Sequence, residues 1–204
     1  DETNLALNDS VDVSGAFSGS YGADGSGTTS YVVSTVNGTD SGLVDVASNQ
    51  SIFLYNTASG VEGRVGGEGG AVAFSVTVVG SLVTLDQVLA IKHPTNDPNE
   101  PISPAANSLT LTATITDKDG DSDDASLDLS GSVVFRDDGP SINVASEYNV
   151  GLEVDETNLA LNDSVDVAGA FSGSYGADGS GTTSYVVSTV NGTDSGLVDV
   201  ASNQ

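Results

Sequence analysis

The first fifty residues of this chain occur twice. Residues 1–50 return as residues 155–204 at a constant offset of 154, identical at 49 of 50 positions, with Ser14 against Ala168 as the exception. Near-identity over that length marks recent duplication inside an array, so whatever the chain folds into must be a unit that repeats. Both ends fall inside the period, and the expectation is a window on a longer tandem array holding one period and a third of the next. On that reading residues 1–137 are one unit lacking its first segment, and residues 138–204 begin the next. The alternative division takes residues 51–154 as a central sandwich flanked by the repeated segments 1–50 and 155–204.

The repeat is made for strands. Apolar residues are 37% of the chain, charged residues 16%, and mean hydropathy is −0.02. That is not the profile of a disordered acidic tail. Val, Thr, Ser, Gly and Asp dominate, the mixture of short strands and tight turns. Residues 109–115 alternate apolar and hydroxyl side chains, the period-2 pattern of a half-buried strand. Residues 71–78 and 82–85 read the same way across Gly80 and Ser81. Further strand candidates are 30–36, 52–55, 132–136 and 142–144. Asn37-Gly38, Gly66-Gly67, Gly69-Gly70 and Asn96-Asp97-Pro98 supply the turns between them. Only residues 85–92 have a helix-like spacing. Short strands so punctuated predict an all-β sandwich.

Charge narrows the partners. With 29 acidic and 4 basic residues the formal net charge is −25, which repels phosphate backbones and anionic headgroups, so neither nucleic acid nor an acidic membrane surface is an expected partner. No apolar run approaches the ~18 residues of a membrane span, and no signal-peptide pattern occurs. The absence of Cys excludes disulfides and thiolate metal sites. A single histidine, His93, sits before Pro94 in what reads as a surface loop and leaves little room for triad chemistry.

Where the acids sit matters more than their number. Six fall within residues 117–128: Asp117, Asp119, Asp121, Asp123, Asp124 and Asp128. Alternate Asp residues in an extended turn converge on one side. At ~5–6 Å each like-charged pair costs roughly 0.7 kcal/mol in water and ~3 kcal/mol at an effective dielectric of 20. Ca²⁺ suits such a set, because it takes six to eight oxygens in adaptable geometry, and Gly120 permits the turn. The spacing is not that of an EF-hand, since glycine is fourth rather than sixth. A second set, Asp137 and Asp138 with Glu153, Asp155 and Glu156, flanks the expected junction between units, where a shared ion would fix the angle between neighbours. A third candidate is the Gly-Ala-Asp-Gly turn at Asp24, repeated at Asp178.

The ordered motifs carry a resemblance. They run Tyr21-Gly-Ala-Asp-Gly, Ser41-Gly-Leu, Ile52-Phe-Leu-Tyr, Val61-Glu-Gly-Arg, Ala90-Ile-Lys-His-Pro and Asp97-Pro-Asn-Glu-Pro. The acidic turn and then Phe135-Arg-Asp-Asp-Gly-Pro close the series. Together they resemble the repeat domain of type I secretion targets, the large RTX adhesins of bacterial surfaces. That resemblance implies tandem Ig-like or cadherin-like antiparallel β-sandwiches, secreted to the cell exterior. It also implies monomeric, non-catalytic, calcium-dependent extenders whose partners are neighbouring repeats of the same polypeptide, projecting ligand-binding domains in adhesion and biofilm formation. The Gly-rich nonapeptide of the RTX β-roll is missing, and residues 66–70 do not match it. In the family that roll lies near the C-terminus, so an interior position in the array is expected.

Two rival functions compete with the extender. An enzyme would need a nucleophile motif or a carboxylate pair in a cleft; no G-x-S-x-G, G-x-G-x-x-G or Walker A sequence occurs, and no small-molecule substrate is expected. A calcium-dependent lectin-like adhesin module is the stronger rival. Near-identical copies favour a part whose number sets length over a receptor module.

Overall fold

The computed structural model describes residues 2–201. Its strands are β1 (Asp9–Asp12), β2 (Thr28–Ser34), β3 (Thr39–Val44), β4 (Ser51–Asn56), β5 (Gly60–Val65), β6 (Val72–Val79), β7 (Leu82–Gln87), β8 (Pro101–Ile102), β9 (Thr110–Thr116), β10 (Ser122–Asp128), β11 (Phe135–Arg136), β12 (Ser141–Val144) and β13 (Phe171–Ser174). Every named pairing is antiparallel. One sheet runs β1-β7-β6-β5-β4-β3, and a second runs β10-β9-β2. Small pairs β8-β11 and β12-β13 complete the set. Among the described residues no helix is long and apolar enough to cross a membrane.

Period-2 patterning builds the sandwich. On β9, Leu111 and Ala113 point inward between half-exposed threonines, and on β4 Ile52 and Leu54 do the same. Strand β6 buries the adjacent residues Ala73 and Phe74. The pairing register shifts there between Gly63 and Arg64, so an extra residue on β6 turns both side chains inward. Strand β2 leaves the first sheet to pair with β9, and Val33, Leu109 and Leu111 join Val61, Phe74 and Val76 in one core. The rings of Phe74 and Phe135 close it with centroids 4.9 Å apart.

Most expected strands form. The helix-like stretch 85–92 does not become a helix. Leu85, Asp86 and Gln87 finish β7, paired to Val76, Ser75 and Phe74, and Ile91 then bridges Asp45. Strands β1, β3, β5, β8, β10 and β13 go beyond the expected set. Strand β10 is exposed apart from Leu127, and its ladder to β9 rather than burial holds it in place. Its Asp123 and Asp124 put charge on an open sheet edge, a known guard against edge-to-edge pairing.

The two copies of the repeated segment fold differently. In the first, β2 pairs with β9 and β3 with β4. In the second, residues 182–188 and 193–198 form no strand, and Val187 and Leu197 are exposed. Conversely, β13 pairs with β12, whereas its counterpart, residues 17–20, is not a strand. Sequence is constant between the copies and the flanking segments are not. Strand β9 follows the first copy and β12 precedes the second. The strands of each copy form against the partners beside it, β2 on β9, β3 on β4 and β13 on β12.

Candidate metal centre

Among the described residues, this topology brings together two groups of side chains that could hold a metal ion, each anticipated in part.

The first lies at the end of the second sheet. Thr28 of β2 is opposite Thr116 of β9, so the loop before β2 meets the turn after β9. Tyr21 anchors that loop through a 2.7 Å hydroxyl contact with Thr29. The β9–β10 turn is ordered by Asp117, whose backbone N–H donates to the Asp121 carbonyl at 2.9 Å. The Asp117 Oδ1 atom accepts from the N–H groups of Gly120 and Asp121. Gly120 has φ +104°, a conformation side chains disfavour. One carboxylate oxygen from each of Asp24, Asp117 and Asp119 then lies within 4.8 Å of the other two. The Asp117 carboxyl is held below its ordinary range, first by hydrogen bonding with the Asp119 side chain, against some desolvation, and then by the N–H groups of the turn.

Of the acidic run, Asp121, Asp123 and Asp124 stay outside this group. Asp121 contributes backbone to the turn, and Asp123 and Asp124 are on β10. The convergence expected from alternate Asp residues thus holds for Asp117 and Asp119, with Asp24 from the repeated segment in the third place.

The second cluster is at the exit of the first core. The Glu2 side chain is buried, and its Oε1 accepts from Gln87 Nε2 at 2.6 Å and from the Ile91 N–H at 2.7 Å. His93 Nε2 is 3.9 Å from the same oxygen, and the His93 side chain is 2% exposed. That corrects the surface-loop reading of His93: the β-bridge of Ile91 to Asp45 draws the following residues inward. Asp137, just after β11, is also buried, with its N–H donating to the Glu100 carbonyl. Ligand atoms of Glu2, His93 and Asp137 all lie within 4.8 Å of one another. Desolvation, added to by Asp178 and Asp137, pushes the Glu2 carboxyl up to about 7, against the lowering effect of the Ile91 and Gln87 hydrogen bonds.

The junction residues divide. Asp138 accepts from the Ala177 N–H, which seats the second Gly-Ala-Asp-Gly turn beside the first core. Asp178 in that turn is held above the usual carboxylate range by desolvation and by Asp137 and Asp138, with His93 opposing. Glu153, Asp155 and Glu156 are exposed and belong to neither cluster. Asp155 caps a 3-10 turn by accepting from Thr157, and the Glu153 N–H donates to Asp163. Glu2 and His93 escaped sequence reasoning because 91 positions separate them and no spacing rule links them.

A family described as a domain of unknown function (DUF5801) matches residues 1–130 and 151–204. No curated protein and no solved structure matches the chain.

Proposed function

We propose that this chain, which belongs to the DUF5801 family, is a non-catalytic calcium-binding extender of a secreted bacterial surface adhesin. One observation carries the reading: Asp24, from the repeated segment, meets Asp117 and Asp119 of the β9–β10 hairpin at ligand-to-ligand distances under 4.8 Å. An all-oxygen set of three carboxylates on exposed turns suits a hard divalent ion, which completes its shell with water or carbonyl oxygens. With all three ionised and no ion between them they repel, by roughly 0.7 to 3 kcal/mol per pair depending on the local dielectric. Calcium would therefore lock the loop before β2 to the β9–β10 hairpin of the same sheet and stiffen that end of the sandwich. Near-identical repeated segments favour a part whose copy number sets length, in keeping with the sequence resemblance to RTX adhesin repeats.

Thermal melts and small-angle scattering of the 204-residue chain, in calcium and then in excess EDTA, test this. Calcium should raise the melting temperature and sharpen the distance distribution. Identical melts and identical maximum dimensions in the two conditions would sink the reading.

A further inference from the structure

From Glu2, His93 and Asp137 we infer a second, chemically distinct metal site, one for a zinc-class transition-metal dication rather than for calcium. The inference is independent of the calcium reading, which rests on other residues.

The first argument is unmet hydrogen bonding. Among the described residues, Glu2 Oε2, Gln87 Oε1, Asp137 Oδ1 and both ring nitrogens of His93 are buried without a hydrogen-bond partner. Each such atom costs about 1–3 kcal/mol when left unpaired, and more if charged. Buried polar atoms normally find partners, so five orphans around one point demand an explanation. Three of them are oxygens that can only accept unless a carboxyl is protonated, and a neutral imidazole has a single N–H to give. The donors of the neighbourhood, Gln87 Nε2 and the Ile91 N–H, are already committed to Glu2 Oε1. A cation satisfies several acceptors at once where no side chain does.

Geometry agrees. Ligands placed ~2.0–2.2 Å from a tetrahedral Zn²⁺ stand roughly 3.4 Å from one another. One atom each from Glu2, His93 and Asp137 already lies within 4.8 Å of the others, so small rotations suffice. The donor set decides the ion. An imidazole nitrogen among few ligands suits Zn²⁺, Co²⁺ or Ni²⁺, whereas Ca²⁺ requires six to eight oxygens and Mg²⁺ an octahedron of them. Burial of all three side chains leaves little room for the waters those hard ions would keep. The Gln87 Oε1 atom is a further unpaired oxygen beside the set.

Placement suggests what the ion does. Glu2 precedes β1, His93 lies between β7 and β8, and Asp137 follows β11. One ion would tie three chain segments together where the sandwich hands over to residues 138 onward. Asp178 of the second repeated turn interacts electrostatically with Glu2, Asp137 and His93, so the staple lies beside the seam between the two.

Co²⁺ is the direct probe. The chelator-stripped 204-residue chain, held in excess Ca²⁺ to saturate oxygen-only sites, is titrated with Co²⁺ and then with Zn²⁺. One Co²⁺ per chain should bind with visible d–d absorption of a low-coordinate nitrogen–oxygen site, and Zn²⁺ should bleach it. His93→Gln should weaken Zn²⁺ by at least the roughly 10- to 100-fold that loss of even an outer-shell partner costs. Asp119→Asn should leave Zn²⁺ binding unchanged while weakening the calcium response, which separates the two sites. Wild-type binding no tighter than that of His93→Gln, or displacement of Co²⁺ by Ca²⁺, would overturn the inference. Should that variant fail to fold, zinc K-edge absorption of the wild-type chain decides instead: a first shell with one imidazole supports the site, and an all-oxygen shell refutes it.

Discussion

Leu43 and Leu197 are the same position of the repeated segment, yet one is 1% exposed in the core and the other 81% exposed. Replacing each by alanine removes the same three carbons. At Leu43 the transfer cost alone is about 2.4 kcal/mol, from ~0.8 kcal/mol per buried methylene. Ile52, Leu54 and Ile91, all fully buried in the same core, constrain how far the surroundings collapse, so a cavity adds to the cost and the total falls within about 2–5 kcal/mol. At Leu197 no buried contact is lost, and the effect should stay within roughly 0.5 kcal/mol. Urea denaturation of the full chain, followed by tyrosine fluorescence, reads the difference. With a slope of about 1–3 kcal/mol per molar, Leu43→Ala should shift the midpoint down by roughly 1 M or more, and Leu197→Ala should barely move it. Equal shifts would refute the asymmetry between the copies, and with it the argument that partner strands decide which copy becomes sheet.

Further outcomes follow from other contacts. A Cβ at Gly63 would run into the ring of Phe74, which is pinned against Phe135; Gly63→Ala should cost about 1–3 kcal/mol by overpacking, whereas Gly69→Ala, with open space around it, should be near neutral in the same melts. Asp119→Asn should reduce calcium-dependent stabilisation and Asp121→Asn should largely spare it, since only Asp119 belongs to the carboxylate cluster; isothermal titration compares them. Asp128 is held below the usual carboxylate range by the Ser130 hydroxyl and N–H and by the Asn107 N–H. A depressed folded pKa gives stability that is present above the unfolded value of 3.8 and lost as pH falls through the folded one. Asp128→Asn should therefore be less stable than wild type near neutral pH, with the two curves converging on acidification.

Much of the sandwich is legible in the sequence: β9 through clean alternation, β4 and β6 through their apolar content, each lying between two partners over a core. Strand β10 escapes that logic, since Ser122–Asp128 carries acids where a strand signal would show Val or Ile, and only its ladder to β9 makes it extended. The acidic turn was legible in part: Gly120 and the Asp117 cap are local effects, but the arrival of Asp24 depends on the β2–β9 register. Nothing local could disclose the Glu2–His93–Asp137 cluster, whose members meet only because β7, β11 and the first turn end at one place. The repeated segment sets the limit most sharply, as one string of residues adopts two structures.

That duality has a topological consequence. The frame has one slot beside β9 and one beside β4, filled by β2 and β3, and the chain carries a second segment with the residues of both. Residues 182–188 and 193–198 match β2 and β3 side chain for side chain, so the contacts available to either occupant are the same in energy. Only routing distinguishes the two arrangements, and loop closure is a weak arbiter, costing about 0.6 kcal/mol per doubling of length. A duplicated segment of this kind can therefore serve its own frame or that of a second molecule. Proximity along the chain, not recognition, keeps each at home.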